Sequence, residues 1–465
     1  MQPPHSKGTR YESPQGRPTP PPGRRRLSRM LGVGLALATV AGVSGVAGGL
    51  LAVSLSSAPL QQQPLSAAEE EVFSHETPIS STGNLRLPRL TRPVNILVLG
   101  IKVLTSDINE VPPELRGLRH HALVDSFEGR SDSMLLLRFN PQTEQLVVLS
   151  LPRDTRTRVR GRLTKLNEAN VYGGPALAAE SVSDLLGGVA IDRYVRINVQ
   201  GVEKLIDALG GVNVNVPVDM RYQDDSQHLY INLKAGEQTL DGNKALQFLR
   251  FRYDAQGDIG RVQRQQMFMR ALTEQALNPA TIARLPQILS VIQSNVDTNL
   301  TVEELVALVG YGAQINRSNV QMLMLPGNFS SYQDFALSYW LPNHSEIASL
   351  VDQYFGFGTQ RAAAGSSPSR VRIAIQDSTG SAVAVEALTR TLRDSGYANI
   401  YIDKTLNQPL PISRIVAQRG DGATAELVHR FLGMGEVRVE STGALNSDIT
   451  IQLGEDWMDG LGEPL

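Results

Sequence analysis

An uncharged run, Met30–Leu55, constrains this chain more than any other feature. "MLGVGLALATVAGVSGVAGGLLAVSL" has no polar face, so it does not read as a helix packed on the core of a soluble domain. As a helix it would extend about 39 Å, enough to cross a bilayer with some tilt. Arg24, Arg25, Arg26 and Arg29 stand on its N-terminal side, and such charge stays in the cytoplasm. The expectation is therefore a disordered cytoplasmic tail over residues 1–29, a single transmembrane helix over 30–55 and an extracytoplasmic body. The rival reading is a cleaved signal peptide. Against it, the run is long for an h-region and "SSAPL" is a weak cleavage signal.

Residues 56–90 are rich in Ser, Gln, Pro and Glu and read as a linker lifting the body off the membrane. A second low-complexity break, "GTQRAAAGSSPSR", falls within residues 356–370. It separates a main domain, 91–355, from a C-terminal one, 371–465. The absence of cysteine removes disulfides, thiolate zinc sites and thiol catalysis. A net charge of −2 gives no bulk attraction to nucleic acid.

In the main domain, "VNILVLG" (94–100), "MLLLRF" (134–139) and "LVVLSL" (146–151) are short apolar runs of the buried-strand kind. The last two are joined by "NPQTEQ", which predicts a hairpin. "YVRIN" (194–198) and "VNVNVPV" (212–218) read as further strands. Helical spacing marks residues 175–187, 200–211, 241–251 and 301–312, with Asp241 capping the third. Helices alternating with strands, one pair of them a hairpin, predict an α/β fold: a mixed central sheet covered by helices, an α/β/α sandwich. The C-terminal domain alternates "VRIAI", "AVEALTRTLRDSG" and "NIYID" and reads as a small α/β module.

Basic residues gather in three places. "GRSDSM" carries Arg130 and Asp132, on one face if the backbone is extended. "SLPRDTRTRVRGR" brings a strand into Arg153 and Asp154; Arg156, Arg158, Arg160 and Arg162 follow at spacing two, as on a solvated edge strand. "LRFRYDAQGDIGRVQRQQMF" holds Arg250, Arg252, Arg261 and Arg264 with only Asp254 and Asp258 among them. Asp258 is placed to cap a helix on which Arg261, Arg264 and Gln265 share a face. Excess guanidinium groups need an outside anion, and phosphate pairs with them bidentately. Beside such a cluster, Asp132 is a candidate ligand for a divalent metal. His120–His121 has no third ligand nearby and reads as a loop pair. No GxxxxGK[ST] loop, GxSxG elbow or HExxH helix is present.

Taken in order, "NILVLG", "GRSDSMLLLRFNP", "LVVLSLPRDT", "TKLNEANVYGG", "LKAGEQTLDGNKALQFLRFRY" and "GDIGRVQRQQ" resemble the catalytic domain of the LytR-CpsA-Psr family. The C-terminal region resembles that family's accessory domain. The resemblance implies a membrane-anchored phosphotransferase on the outer face of the plasma membrane. Such an enzyme moves a glycopolymer from a polyprenyl-pyrophosphate carrier onto peptidoglycan through a phosphodiester, assisted by Mg2+ or Mn2+. It also implies a lipid tail held in an apolar groove. By matching positions, Asp132 resembles the metal-binding aspartate, Arg130, Arg153, Arg250, Arg252, Arg261 and Arg264 the basic residues of the site, and Gln265 a polar neighbour. One position departs. Where the family has Gly-x-Asp after its first strand, this chain has "LGIKVLTSD", with Lys102 in the aspartate's place. Either Lys102 supplies the charge at the phosphate or Asp107 stands in as ligand. The competing function is a non-catalytic scaffold that binds the lipid pyrophosphate or a glycan. A transcriptional regulator would need a cytoplasmic DNA-binding element, and the short tail offers none.

Overall fold

The computed structural model describes residues 60–461 apart from residues 74–77, 82–87, 109, 252–256, 277, 283, 332, 357–366 and 407. Residues 30–55 and Arg252 lie outside the described residues. Among the described residues no helix is long and apolar enough to cross a membrane.

Strand β1, Val94–Lys102, is almost wholly apolar because both faces of its sheet are covered. Leu97, Leu99 and Ile101 enter one core, and Val94 and Ile96 enter the other. Each fully buried aliphatic of this kind contributes about 1.5–3 kcal/mol. The expected hairpin follows as β2, Arg130–Asn140, and β3, Gln145–Ser150, paired antiparallel. The chain continues through α1 (Ala169–Leu185), β4 (Arg193–Asn198), α2 (Val199–Leu209), a hairpin of β5 (Met220–Asp224) and β6 (Leu229–Leu233), α3 (Gly242–Arg250) and α4 (Gly257–Ala276). It then forms β7 (Val296–Thr298), α5 (Val302–Gly312), β8 (Val320–Met324) and α6 (His344–Tyr354).

The six-stranded sheet has the order β7-β4-β1-β2-β3-β8. The β1–β4 and β3–β8 pairs are parallel and the rest antiparallel. Alanines, Val182 and Leu185 of α1 and aliphatics of α6 fill one face; α5 fills the other. This is the mixed, two-sided α/β architecture expected. Two ion pairs brace β4 from within: Arg193 meets Glu304 at 2.6 Å and Arg196 meets Asp297 at 2.6 Å, all four side chains buried.

Segment 56–90 differs from a free spacer. Leu60, Phe73 and Ile79 are buried, and Gln63 donates its N–H to Asp297 at 2.7 Å. Its polar composition hid single apolar anchors that pin the described residues of this segment to the body.

The C-terminal region forms β9 (Arg372–Asp377), α7 (Ala382–Asp394), β10 (Asn399–Thr405), β11 (Arg414–Ala417), α8 (Gly422–Leu432), β12 (Glu436–Val439), β13 (Ile449–Leu453) and α9 (Glu455–Leu461). Its sheet order is β10-β9-β13-β11-β12. It docks on β8, the edge strand of the main sheet. Ser441 donates its N–H to the Met322 carbonyl at 2.8 Å, and Met324 donates its N–H to Ser441 Oγ at 3.0 Å. Those contacts satisfy an edge that would otherwise be open to foreign strands. Glu440, beside them, is paired with Arg270 of α4.

Candidate active site

A cleft of about 260 Å³ opens at the C-terminal ends of the parallel strands β1 and β4, the usual place for a ligand in an α/β sheet. A local irregularity builds its first wall. Gly100 pairs with Ser133 and Ile101 with Ser131, which leaves Asp132 as an extra residue in β2. Such a bulge breaks strand alternation and re-aims one side chain. Asp132 therefore turns into the cleft, while Arg130, two residues earlier, stays exposed outside its lining, 3.9 Å from Glu168. The expectation that extended backbone puts both on one face fails at that bulge.

Arg153, from the loop after β3, donates Nη1–H to Asp132 Oδ1 at 2.5 Å and Nε–H to Asp154 Oδ2 at 3.3 Å. Asp154 also receives Lys165 Nζ at 2.9 Å and lies 3.6 Å from Arg261 Nη2. One carboxylate thus holds three cations in place. Burial favours the neutral acid of Asp154, but Arg153, Lys165 and Arg261 outweigh it and hold the carboxyl below its ordinary range. For Arg153, burial works against the charge, and Asp132 and Asp154 outweigh it to keep the guanidinium above its ordinary value.

The opposite wall comes from α3, α4 and the β5–β6 hairpin. Asp241 caps α3, accepting the Lys244 N–H at 2.8 Å, as expected. The helix ends at Arg250, which lines the cleft. Helix α4 spans Gly257–Ala276 and so includes Asp258, whose side chain, expected as its cap, lies outside the described residues. Arg261 and Gln265 reach the cleft from successive turns. Arg264 does not. Each helical residue advances 100°, and Arg264 is turned inward, where it donates Nη2–H to the Phe251 carbonyl at 2.7 Å and stacks on the Phe251 ring. Lys102 lies at the end of β1, its Nζ 2.9 Å from Gln227 Oε1. Arg250 Nη2 approaches the same oxygen at 3.4 Å.

Lys102, Arg153, Arg250 and Arg261 thus line the cleft together with two carboxylates, Asp132 and Asp224. Ile197, Val199, Val202, Leu229, Leu246 and Leu249 add an apolar part to the same lining. The site suits a ligand with an anionic head and a hydrocarbon tail.

Among the described residues the donor set does not fit a resident divalent metal. Magnesium and manganese take oxygen ligands, with carboxylates as the protein's main contribution. Asp132 is engaged by Arg153. Asp224 accepts from Ser226 N–H at 2.9 Å and Gln227 Nε2–H at 3.0 Å. Asp107 closes its own turn by accepting the Leu104 N–H at 2.8 Å, and it does not line the cleft. Among the described residues no group of three acidic or histidine side chains could hold an ion. His120 stacks on His228 with ring centroids 4.8 Å apart, and the 156–162 arginines stand on a two-stranded ribbon.

Lys165, Gln227, Tyr222 and Asn198 escaped the sequence reading as parts of the site. Lys165 sits within "TKLNEAN", where the lysine was a usable signal. Gln227 carries none, because only the hairpin fold brings it beside Lys102.

Fold and cleft together define an α/β domain with one cleft lined by cationic and apolar side chains. Residues 58–355 match the LytR_cpsA_psr family, and residues 370–457 match the LytR cell envelope-related transcriptional attenuator domain. The chain belongs to the LytR_cpsA_psr family. The polyisoprenyl-teichoic acid–peptidoglycan teichoic acid transferase TagU of Oceanobacillus iheyensis is 32% identical over 271 residues, covering 57% of this chain and 75% of that protein. TagU of Bacillus cereus is 29% identical over 315 residues, covering 65% and 90%. The crystal structure of Bacillus subtilis TagV aligns with 58% of this chain and 99% of its own at 26% identity, with a TM-score of 0.46.

Proposed function

We propose that this chain is a phosphotransferase that moves a glycopolymer from a polyprenyl-pyrophosphate carrier onto peptidoglycan through a phosphodiester. The observation that carries this reading is that one cleft is lined by both cationic and apolar side chains. The pyrophosphate belongs with Arg153, Arg250 and Arg261, and the first isoprene units with Leu246 and Leu249. The similar TagU proteins, named as polyisoprenyl-teichoic acid–peptidoglycan transferases, support the same pair of partners. Anchoring through residues 30–55 would hold the cleft on the outer face of the plasma membrane, where carrier lipid and wall meet.

In the proposed step, the acceptor sugar hydroxyl forms a bond to the phosphorus that carries the glycopolymer. The bridging P–O bond to the carrier breaks, and polyprenyl phosphate leaves. The arginines stabilise the charge on the transferring group through position and electrostatics. Asp132 faces the cleft with 35% of its side chain exposed and is placed to take the hydroxyl proton.

The test is a transfer assay with a polyprenyl-pyrophosphate-linked glycopolymer, peptidoglycan fragments and the full chain. Arg153→Ala and Arg261→Ala should each lower turnover by roughly 100-fold. Unchanged turnover in both would remove the assignment. Tight carrier binding by the unmodified chain without any product would make it a scaffold instead.

A further inference from the structure

We infer that this cleft neutralises its pyrophosphate with protein cations alone, and that Lys102 is the residue that replaces the metal. The inference rests on the pyrophosphate reading above.

Three observations place Lys102 in that role. First, it ends β1 opposite Arg130 in the register set by the Asp132 bulge, and its side chain lines the cleft. Second, Lys102 and Arg250 approach a single oxygen of Gln227 from opposite walls, at 2.9 and 3.4 Å. Their convergence on one oxygen marks a point that a phosphate oxygen can occupy. Third, the amide of Gln227 is held from behind. Its Nε2–H donates to Asp224 Oδ2 at 3.0 Å, so Oε1 is the atom left to face the cations. Asp224 is itself fixed by the Ser226 N–H at 2.9 Å. The chain Asp224–Gln227–Lys102 therefore orients a cation much as second-layer groups orient a metal ligand.

The carboxylates complete the argument. A divalent ion would need oxygen ligands where the chain places an ammonium group, and among the described residues the cleft's carboxylates are engaged, Asp132 by Arg153 and Asp224 by Gln227. An ammonium and a metal at the same point would repel each other.

The test uses the full chain in detergent micelles, with geranylgeranyl pyrophosphate as the probe in isothermal titration calorimetry. One arm contains EDTA and the other Mn2+. The unmodified chain should bind with the same affinity in both arms, within roughly threefold, and Mn2+ alone should give no bound-ion signal by electron paramagnetic resonance. Lys102→Ala should weaken probe binding by roughly tenfold or more in either arm. Lys102→Asp should lose binding in EDTA and regain it with Mn2+. Affinity in the unmodified chain that falls by roughly tenfold or more in EDTA would overturn the inference while leaving the pyrophosphate reading intact. Unchanged binding by Lys102→Ala would also overturn it. Failure of the unmodified chain to bind the probe in either arm would instead refute the pyrophosphate reading, and the inference with it. The comparison of the two arms needs no variant, so a folding defect in Lys102→Ala cannot hide the answer.

Discussion

Replacing Asp154 with Asn should weaken the main domain in a pH-dependent way. Asp154 holds Arg153, Lys165 and Arg261 within 3.6 Å, with one-fifth of its own side chain exposed. Removing one partner from a buried charge group costs about 3–5 kcal/mol. Asp132 continues to pair with Arg153, Lys165 keeps 22% exposure, and asparagine can still accept a hydrogen bond. The expected cost is therefore about 2–3 kcal/mol at neutral pH. At about 2–4 °C per kcal/mol, the main calorimetric transition should fall by about 5–10 °C. The sign with pH follows from the depressed carboxyl. Its stabilising contribution is complete above the unfolded value near 3.9 and is lost as pH falls through the lower folded value. The gap between the unmodified chain and Asp154→Asn should therefore close in acid. Scanning calorimetry at pH 7 and across the acid range provides the measurement. A gap that stays constant down to the acid limit would refute the view of Asp154 as an ionised hub.

Other perturbations separate the parts of the account. Arg270→Ala leaves Glu440 buried with Arg438 at 3.9 Å and Thr442 Oγ1 at 2.8 Å among its remaining partners; hydrogen exchange over Val320–Met324 should rise as the C-terminal unit loosens. Leu246→Asn should cut binding of a long prenyl pyrophosphate by roughly tenfold or more while leaving inorganic pyrophosphate binding unchanged. Arg264→Ala should lower stability by about 1–3 kcal/mol through loss of its bond to Phe251, with no change in carrier affinity by calorimetry once the folded fraction is matched.

The central sheet was legible because its strands are buried on both faces and so appear as apolar runs bounded by Gly, Pro and Asn. The arginine excess raised the expectation of an outside anion by counting local aspartates alone, whereas the fold also brings Asp154 to Arg261 and the Phe251 carbonyl to Arg264. What escaped depended on distant partners. The bulge that parts Arg130 from Asp132 exists only because β2 is paired with β1. Gln227 meets Lys102 across 125 residues of sequence. The inward turn of Arg264 is set by where Phe251 leaves α3, which helical spacing alone does not contain. The linker reading failed because Leu60, Phe73 and Ile79 are isolated apolar residues whose burial requires a body to pack against.

A crystal structure of the chain with geranylgeranyl pyrophosphate tests the central claim most directly. The account predicts both phosphates among Lys102, Arg153, Arg250 and Arg261, with the isoprene chain running along Leu246 and Leu249. A pyrophosphate seated elsewhere, or a tail turned away from those leucines, would contradict it.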